Sequence, residues 1–325
     1  MNQIYLDNQA TTPIDPDVFS AMEPWLKDKF GNAASFHHGY GHEAKQAVEH
    51  ARKVIAQELN AKIREIVFTS GATEAINLAI KGVCAKAPPG KNHIITQVTE
   101  HPAVLDTCAA LKKKGWDVSI LQVDSSGFVD LNDIKKEMKE ETALVAVMHA
   151  NNEIGVIQDI AEIGKICKEN KVHFLVDAAQ SFGKLSIDVV EMNIDLLAAS
   201  AHKIYGPKGV GCLYVNQKMP KVQLEAQLHG GGHERGFRSG TLPVPLIVGF
   251  GKAVEISSIV RNEENERLYQ MRDKIINEIL SEATLNRPED ANMPTGGRQG
   301  IHTEHLGHLL SDMQYLQRAY PDATW

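Results

Sequence analysis

The stretch Val172–Gln180, with the sequence VHFLVDAAQ, begins with an apolar run, Val172–Asp177, that ends in an acidic residue and is followed at Gln180 by an amide side chain. Six other apolar, β-branched-rich runs occur along the chain, at residues 65–69, 93–97, 118–123, 143–148, 195–199 and 211–215. Helical patterns separate them, near residues 42–59, 73–82, 102–114, 131–139 and 159–170. This alternation predicts an α/β fold with a mostly parallel seven-stranded sheet. Helices on both faces would explain why the strands are apolar throughout.

Composition limits the kinds of partner. The 325 residues are 43% hydrophobic, enough for one large core and a smaller lobe. The net charge is -7, acidic and basic residues are interspersed, and no Lys/Arg run stands out, so neither nucleic acid nor an anionic membrane surface is expected as a partner. No stretch approaches the roughly 18 apolar residues of a membrane span, and the first residues lack secretory-signal features, which favours a cytoplasmic location.

The four cysteines are Cys84, Cys108, Cys167 and Cys212. They are far apart and form no CxxC pair, so neither a zinc site nor a disulfide framework is predicted. Each lies in an apolar pattern, which is typical of a small buried hydrophobic residue.

The segment Ser200–Gly209, SAHKIYGPKG, follows an apolar run, and ligands of α/β sheets bind at the carboxyl ends of strands. Partial burial at such a position lowers the pKa of a lysine and frees its amine. Lys203 is therefore a candidate to form a Schiff base with an aldehyde cofactor. The alternative is an ordinary solvated lysine in a Gly/Pro turn.

Two further strand ends suit the same kind of cofactor. Asp177 could pair with a pyridine nitrogen and make the ring an electron sink, and Gln180 could hydrogen-bond a ring hydroxyl. The alternative for Asp177 is a helix N-cap. The segment Thr69–Ala75, TSGATEA, predicts a strand, a glycine turn and a helix whose N-terminus could bind an anion. The alternative is a plain cap by Thr73 or Ser70.

Three weaker motifs complete the pattern. His101 could lie on a cofactor ring and move protons, although a lone histidine is more often an ordinary surface or core residue. Asn152, in HANNEIG, could contact the ring hydroxyl or a substrate carboxylate, or belong to an ordinary turn. The loop 229–241, HGGGHERGFRSGT, suits a phosphate, or is a flexible surface loop. Because five of the six motifs stand at predicted strand ends, together they predict one site.

With these motifs, the segments Tyr5–Pro13 and 31–35 resemble, in order and spacing, the NifS/IscS-type cysteine desulfurases. These are pyridoxal 5'-phosphate (PLP) enzymes of fold type I, in the class V aminotransferase group. The resemblance runs from residue 1 to about Pro294. It implies PLP as the cofactor, L-cysteine as the substrate, L-alanine and enzyme-bound sulfur as the products, and a role in iron–sulfur cluster or thio-cofactor synthesis. An iron–sulfur scaffold or a sulfur-acceptor protein is the implied protein partner.

The resemblance also implies a role for each site residue. Lys203 would hold the cofactor covalently and act as acid and base at Cα, and His101 would stack on the ring. Asp177, Gln180 and Asn152 would contact the ring nitrogen, the ring hydroxyl and the substrate carboxylate. The remaining implied cofactor contacts are Ala72, Thr73, Ser200 and His202, with Thr241 reaching the phosphate of a neighbouring subunit. That last role implies a homodimer.

The sequence departs from the family pattern in its last third. No cysteine follows Cys212 in this sequence, so we expect the sulfur-accepting cysteine loop to be absent, together with the arginine that the resemblance implies for gripping the substrate carboxylate. We expect an N-terminal segment (1–12), a PLP-binding large domain (13–250), a bridging helix with a remnant of a largely missing small domain (251–294) and an unrelated tail (295–325). The apolar stripe of the bridging helix, at Leu268, Met271, Ile275 and Ile279, should then be incompletely covered.

The tail itself resembles the end of a ferritin-like subunit of the phenylacetyl-CoA epoxidase complex. His302, His305 and His308 are three residues apart, a spacing that favours a histidine-rich amphipathic helix end over a metal site.

Three functions follow from these observations. The first is a cysteine desulfurase-type enzyme whose turnover is uncertain without the cysteine loop. The second is an inactive PLP-binding remnant or partner-binding protein. The third is a PLP-dependent lyase, such as a selenocysteine lyase, which needs no enzyme cysteine.

Overall fold

The computed structural model describes Tyr5 and residues 7–218 and 221–285, with side chains through residue 278 except 275 and 276. Its seven strands form one sheet in the order β1-β7-β6-β5-β4-β2-β3. The strands are β1 (Ile66–Thr69), β2 (His93–Gln97), β3 (Asp117–Leu121), β4 (Thr142–Met148), β5 (His173–Asp177), β6 (Leu196–Ser200) and β7 (Gly211–Val215). All pairings are parallel except those of β7, which is antiparallel to both its neighbours. The predicted mostly parallel seven-stranded sheet is confirmed.

Seven α-helices accompany the sheet in the part of the chain that the structure describes. They are α1 (Pro16–Lys27), α2 (Gly39–Glu58), α3 (Ala72–Lys86), α4 (Pro102–Lys112), α5 (Leu131–Glu137), α6 (Ile160–Glu169) and α7 (Val244–Leu285). Only α1 is absent from the sequence prediction. Pro24 lies inside it and gives the segment the composition of a break, although Asp15 caps its start by accepting the N–H of Asp17 at 2.9 Å.

The core consists of two layers, one on each face of the sheet. On β5, Phe174 and Val176 belong to the layer beneath α1, α2, α5, α6 and α7, whereas Leu175 belongs to the layer beneath α3 and α4. Successive strand residues point to opposite faces, so a strand covered on both sides is apolar at every position. This packing accounts for the continuous apolar runs of the sequence.

The direction of the strands gathers the polar residues that follow them. Because β7 alone runs against the others, the carboxyl ends of the other six strands share one edge of the sheet with the start of β7 at Gly211. Residues that are far apart in sequence therefore meet at that edge.

The long helix α7 packs on α1 and α2 and leaves part of its surface open. Leu268 and Met271 are half-buried, and Ile259 is 81% exposed. The side chains of Ile275 and Ile279 and the histidines of the tail lie outside the described residues. No helix in the described ranges is both long and apolar enough to cross a membrane.

Candidate active site

A cleft of about 670 Å³ opens at the carboxyl edge of the sheet. This volume lies in the range of about 300–1,000 Å³ that is usual for small-molecule sites. The predicted site residues that line it are Ala72, Thr73, His101, Asn152, Asp177, Gln180, Ser200, His202 and Lys203. Thr241 does not line it and is exposed.

Lys203 ends the single helical turn that follows β6, so its side chain starts from the floor of the cleft. Its Nζ donates hydrogen bonds to the carbonyl oxygens of Gln9 and Ala10, the latter at 2.9 Å. Burial lowers the pKa of the amine, while the carboxylates of Asp177 and Asp7 oppose that shift. A lowered pKa increases the fraction of neutral amine, the form that attacks an aldehyde.

Asp177 ends β5 and is only 4% exposed. Its Oδ1 accepts the N–H of Ala179 at 2.9 Å. Burial raises the pKa of this carboxyl, and the charges of His101 and Lys203 act in the opposite direction. A cation placed against Asp177 within the cleft would therefore stabilise its ionised form.

The N-terminus of α3 forms the opposite end of the cleft. Its N-cap is Gly71, which offers no side-chain acceptor, so the first-turn amides of Ala72 and Thr73 have neither a cap nor an intrahelical partner. The backbone here is too tight for a larger residue, since a Cβ on Gly211 would lie 2.7 Å from the Cα of Gly71. Ser200, 3% exposed, borders the same corner. These groups form a cradle of donors suited to an anion.

His202 joins that corner from the turn before Lys203. Its Nδ1 lies 3.1 Å from Oγ1 of Thr11, and its carbonyl accepts the N–H of Thr12 at 2.9 Å. Burial lowers the pKa of the imidazole to about 4, assisted by the charges of Lys203 and Lys208. The ring is therefore neutral near pH 7 and keeps one N–H to donate.

His101 stands at the mouth of the cleft as the N-cap of α4. Its Nδ1 accepts the N–H of Ala103 at 3.0 Å, so a neutral ring carries its proton on Nε2. Asn152 lines the cleft nearby, in a turn that the buried side chain of Asn151 holds by accepting the N–H groups of Glu153 and Ile154 at 2.7 and 2.9 Å.

The sequence prediction missed the contribution of the N-terminal segment. Gln9, Ala10 and Thr11 line the cleft, and the carbonyl of Gln9 also accepts Nε2 of Gln180 at 2.9 Å. Three hydrogen bonds, two from Lys203 and one from Gln180, use the backbone carbonyls of Gln9 and Ala10, which no side-chain pattern reveals. The resemblance of the segment Tyr5–Pro13 to the family is the one signal in the sequence that points to this part of the cleft.

The loop 229–241 is fixed to α2 and α3 beside the cleft. Arg238 donates to Glu74 of α3 at 2.7 Å, and Glu234 forms a buried, bidentate ion pair with Arg52 of α2 at 2.7 Å for each contact. Thr241 follows this anchored segment and faces solvent.

Comparisons with known proteins agree with this geometry. The family model for aminotransferase class-V matches residues 4–316. A cysteine desulfurase IscS of Vibrio vulnificus strain YJ016 is 49% identical over 295 residues, covering 90% of this chain and 73% of that protein. One from Shewanella piezotolerans is 53% identical over 287 residues, covering 87% and 71%. The chain belongs to the class V aminotransferases, among the IscS/NifS-like cysteine desulfurases.

Solved structures of this family have the same fold. A NifS-like protein superposes with a TM-score of 0.83 at 40% identity, covering 86% of this chain and 76% of its own. A structure described as SspA in complex with cysteine gives 0.75 at 45% identity, covering 78% and 72%. The fold expectation is thus confirmed at the level of the family.

Cysteine desulfurases use PLP, and the cleft fits that group. Its two ends differ in the required way, with the buried acid Asp177 at one side and the uncapped amides of α3 at the other, and the Lys203 amine lies in the same cleft. A pyridine nitrogen, a phosphate and an aldehyde are the groups that such an acid, cradle and amine would bind.

The cysteines are the point at which the site differs from what a sulfur-accepting enzyme needs. All four are buried, and none lines the cleft as the structure describes it. Burial raises the pKa of the thiols of Cys84, Cys108 and Cys212 to about 12 each, and that of Cys167 also rises. The expectation of small buried hydrophobic residues is confirmed, and the reactive thiolate form is disfavoured at each. Among the described residues, no group of three His, Cys, Asp or Glu side chains is arranged to hold a metal ion.

Proposed function

We propose that this chain binds PLP covalently through Lys203 and acts on L-cysteine at Cα, as a cysteine desulfurase-type protein. The observation that supports this most strongly is the shared cleft. It places an amine of lowered pKa, a buried carboxyl and an anion cradle around one ring-sized space.

The proposed roles follow from the contacts of each residue. Bound PLP supplies an electron sink for the pair left when the Cα–H bond of the substrate breaks. Asp177 would stay ionised against the ring nitrogen, and its bond from Ala179 would help to orient the carboxylate. Lys203 would take the Cα proton and return it, and His101, with its proton on Nε2, would stack on the ring.

The phosphate would be held by neutral hydrogen-bond donors. The amides of Ala72 and Thr73, the hydroxyls of Thr73 and Ser200, and the neutral imidazole of His202 are all donors at that corner. Gln180 would turn from the Gln9 carbonyl to the ring hydroxyl. Asn152 lies within the same cleft, where it would contact the substrate carboxylate.

We propose that the sulfur acceptor is none of the four cysteines Cys84, Cys108, Cys167 and Cys212. The thiolate of an acceptor protein or small thiol attacks Sγ of the substrate, the Cβ–S bond breaks, and its electron pair goes to Cβ, which is protonated to give L-alanine. The acceptor keeps the sulfur as a persulfide. The buried position of all four cysteines supports this assignment, and it also favours the second candidate, a lyase that uses no enzyme thiol.

An absorbance titration of the purified chain with PLP, followed by L-cysteine, tests the proposal. We expect a visible band of the covalently bound cofactor, a spectral change with L-cysteine, and alanine release only when a thiol such as dithiothreitol is added. Free PLP at the same concentration with L-cysteine is the control for direct reaction with the substrate. The absence of the visible band would overturn the proposed function, whereas pyruvate or thiol-independent product would support the lyase.

We further propose that two copies form a homodimer in which Thr241 of one subunit completes the phosphate site of the other. Thr241 is exposed outside its own cleft, and its loop is anchored by the bonds of Glu234 and Arg238. Phe30 and Phe36 are 75% and 66% exposed and give the surface an aromatic character that a second copy could cover.

Co-expression of a Lys203→Ala chain with a Thr241→Val chain tests this exchange. If Thr241 acts across the interface, each mixed dimer contains one site with both native residues, so covalent PLP binding with native affinity should return. Thr241→Val alone should weaken PLP binding about 10- to 150-fold, since a hydrogen bond to a charged group contributes about 1.5–3 kcal/mol. No native-affinity site in the mixed sample would place Thr241 in its own subunit or outside the site.

A further inference from the structure

Glu100 is a buried acid between β2 and α4, directly before His101. It is 5% exposed. Its Oε1 accepts Nε2 of Gln97 at 2.9 Å and the backbone N–H of Met148 at 2.5 Å. Its Oε2 is buried and has no hydrogen-bond partner among the described residues. The side chain therefore joins the ends of β2 and β4 through one oxygen and leaves the other available to carry a proton.

These bonds connect Glu100 to the acid proposed to face the cofactor ring. Met148, which donates to Glu100, is the register partner of Asp177 on β5. The next residue, His149, donates its N–H to the carbonyl of Asp177 at 2.9 Å. The Glu100 side chain thus ties the end of β4, which pairs with Asp177, to the residue that directly precedes His101.

The groups that face Glu100 do not neutralise a negative charge. They are Asp177 from β5 and Cys108 from α4. No described Lys or Arg forms an ion pair with Glu100. Burial raises the pKa of Glu100 to about 8, and the charge of Asp177 adds to the shift against the bonds from Met148 and Gln97. Two buried carboxyls that repel each other favour a single negative charge between them.

We propose that Glu100 is a positioning residue of the cofactor site, a neutral carboxylic acid that ties β2 to β4 and leaves Asp177 as the single carboxylate for the ring. The inference rests on the proposed function, because it assigns the charge that the cofactor nitrogen meets. A glutamine at position 100 has no titrating group but can still accept the two hydrogen bonds that Oε1 accepts, from Gln97 and Met148. An alanine can accept neither of these hydrogen bonds.

The first test measures PLP affinity at pH 7. Glu100→Gln should bind within about twofold of the native chain, whereas Glu100→Ala should bind at least about tenfold more weakly, because it leaves a buried N–H without an acceptor. If Glu100→Ala does not fold, Glu100→Asp, which withdraws the acceptor by one methylene, makes the same comparison. Equal affinities of the glutamine and truncated variants would overturn the proposal.

The second test follows the melting temperature of the cofactor-free chain between about pH 5 and pH 9. The pKa of Glu100 is about 8 in the folded chain and 4.5 as its ordinary value, so between them the folded state holds the extra proton and loses stability as the pH rises. Glu100→Gln removes this loss, so its melting temperature relative to the native chain should increase across the range. A constant difference would overturn the neutral-acid assignment.

Glu65→Gln is the matched control for removing a buried carboxylate. Glu65 is 1% exposed, and its two oxygens accept the N–H groups of Lys62 and Gln217 at 2.8 and 3.1 Å, at the start of β1. This variant should keep the native PLP affinity. Failure of the native chain to bind PLP would overturn the proposed function alone, because the melting series still decides the protonation of Glu100.

Discussion

Replacing Lys203 by alanine is expected to abolish the covalent PLP complex and to reduce product formation by roughly 10²–10⁴-fold, the usual contribution of a positioned acid–base group. No other described amine lines the cleft except that of the exposed Lys208. Borohydride reduction followed by peptide mass spectrometry should place the cofactor mass on the native Lys203 peptide and on no peptide of the variant.

Two further variants test whether the cofactor needs a nucleophilic amine and whether that amine belongs to Lys203. Lys203→Arg keeps a cation beside Asp177 but has no nucleophilic amine at neutral pH, so it should bind PLP only non-covalently. Lys184 borders a narrow cavity of about 50 Å³ together with Lys203, and burial lowers the pKa of its amine to about 8. Lys184→Met should keep the covalent complex. A visible band that persists in Lys203→Ala and disappears in Lys184→Met would reassign the cofactor lysine.

The sequence predicted the sheet well because the sheet is covered on both faces. The apolar run Val172–Asp177 predicts a strand, and β5 begins one residue later, at His173, and ends at Asp177. The strands β2 and β7 have the bounds that their apolar runs predict. A run that must pack on two helical layers leaves a continuous apolar signal. Helix α1 left a weaker signal, since Pro24 in its interior resembles a break.

The topology of the sheet explains why the sequence could predict which residues share the site. Asp177 and Lys203 follow strands that end at the same edge, so the order of apolar runs alone predicts that they meet. The N-terminal carbonyls that bind Lys203 could not be predicted, because backbone groups carry no residue signature. The role of Glu100 could not be predicted either, since the sequence pattern shows it only as the neighbour of His101.

Contacts across long sequence separations were the hardest to predict. Arg52 and Glu234 are 182 residues apart, and each sits in a segment that looks solvated: a charged helix and a glycine-rich loop. In the structure their side chains are 3% and 1% exposed. Nothing in either local pattern indicates the partner, because the pairing depends on how α2 and the loop pack against the start of the sheet.

The Arg52–Glu234 pair holds the loop in a backbone conformation that it would not otherwise keep. Glu234 and Arg235 have φ values of 51° and 58°, in the left-handed region where a non-glycine residue costs of order 1–3 kcal/mol. Oε2 of Glu234 also accepts the N–H of Phe68 at 2.7 Å, and Arg52 donates to the carbonyl of Ile66 at 2.8 Å. The pair therefore joins the loop to both α2 and β1.

Arg52→Met is expected to lower the free energy of unfolding by about 3–5 kcal/mol, because it leaves the Glu234 carboxylate buried without its cation. The loss should appear as a lower midpoint in urea denaturation of the cofactor-free chain. It should also weaken PLP binding in the proposed dimer, since the anchored loop carries Thr241. The double variant Arg52→Met/Glu234→Met removes both charges and should lose less stability than the sum of the two single variants.

Lys139→Met is the control for a surface pair, since Lys139 and Asp117 lie 3.1 Å apart with side chains 42% and 59% exposed. It should leave the denaturation midpoint unchanged, because water already solvates both charges. A strictly additive double variant would show that Arg52 and Glu234 stabilise the chain independently. In that case the left-handed backbone at Glu234 and Arg235 would have to be held by other contacts of the loop, such as the bonds from Arg235 to the carbonyl of Ile66 and from Arg238 to Glu74.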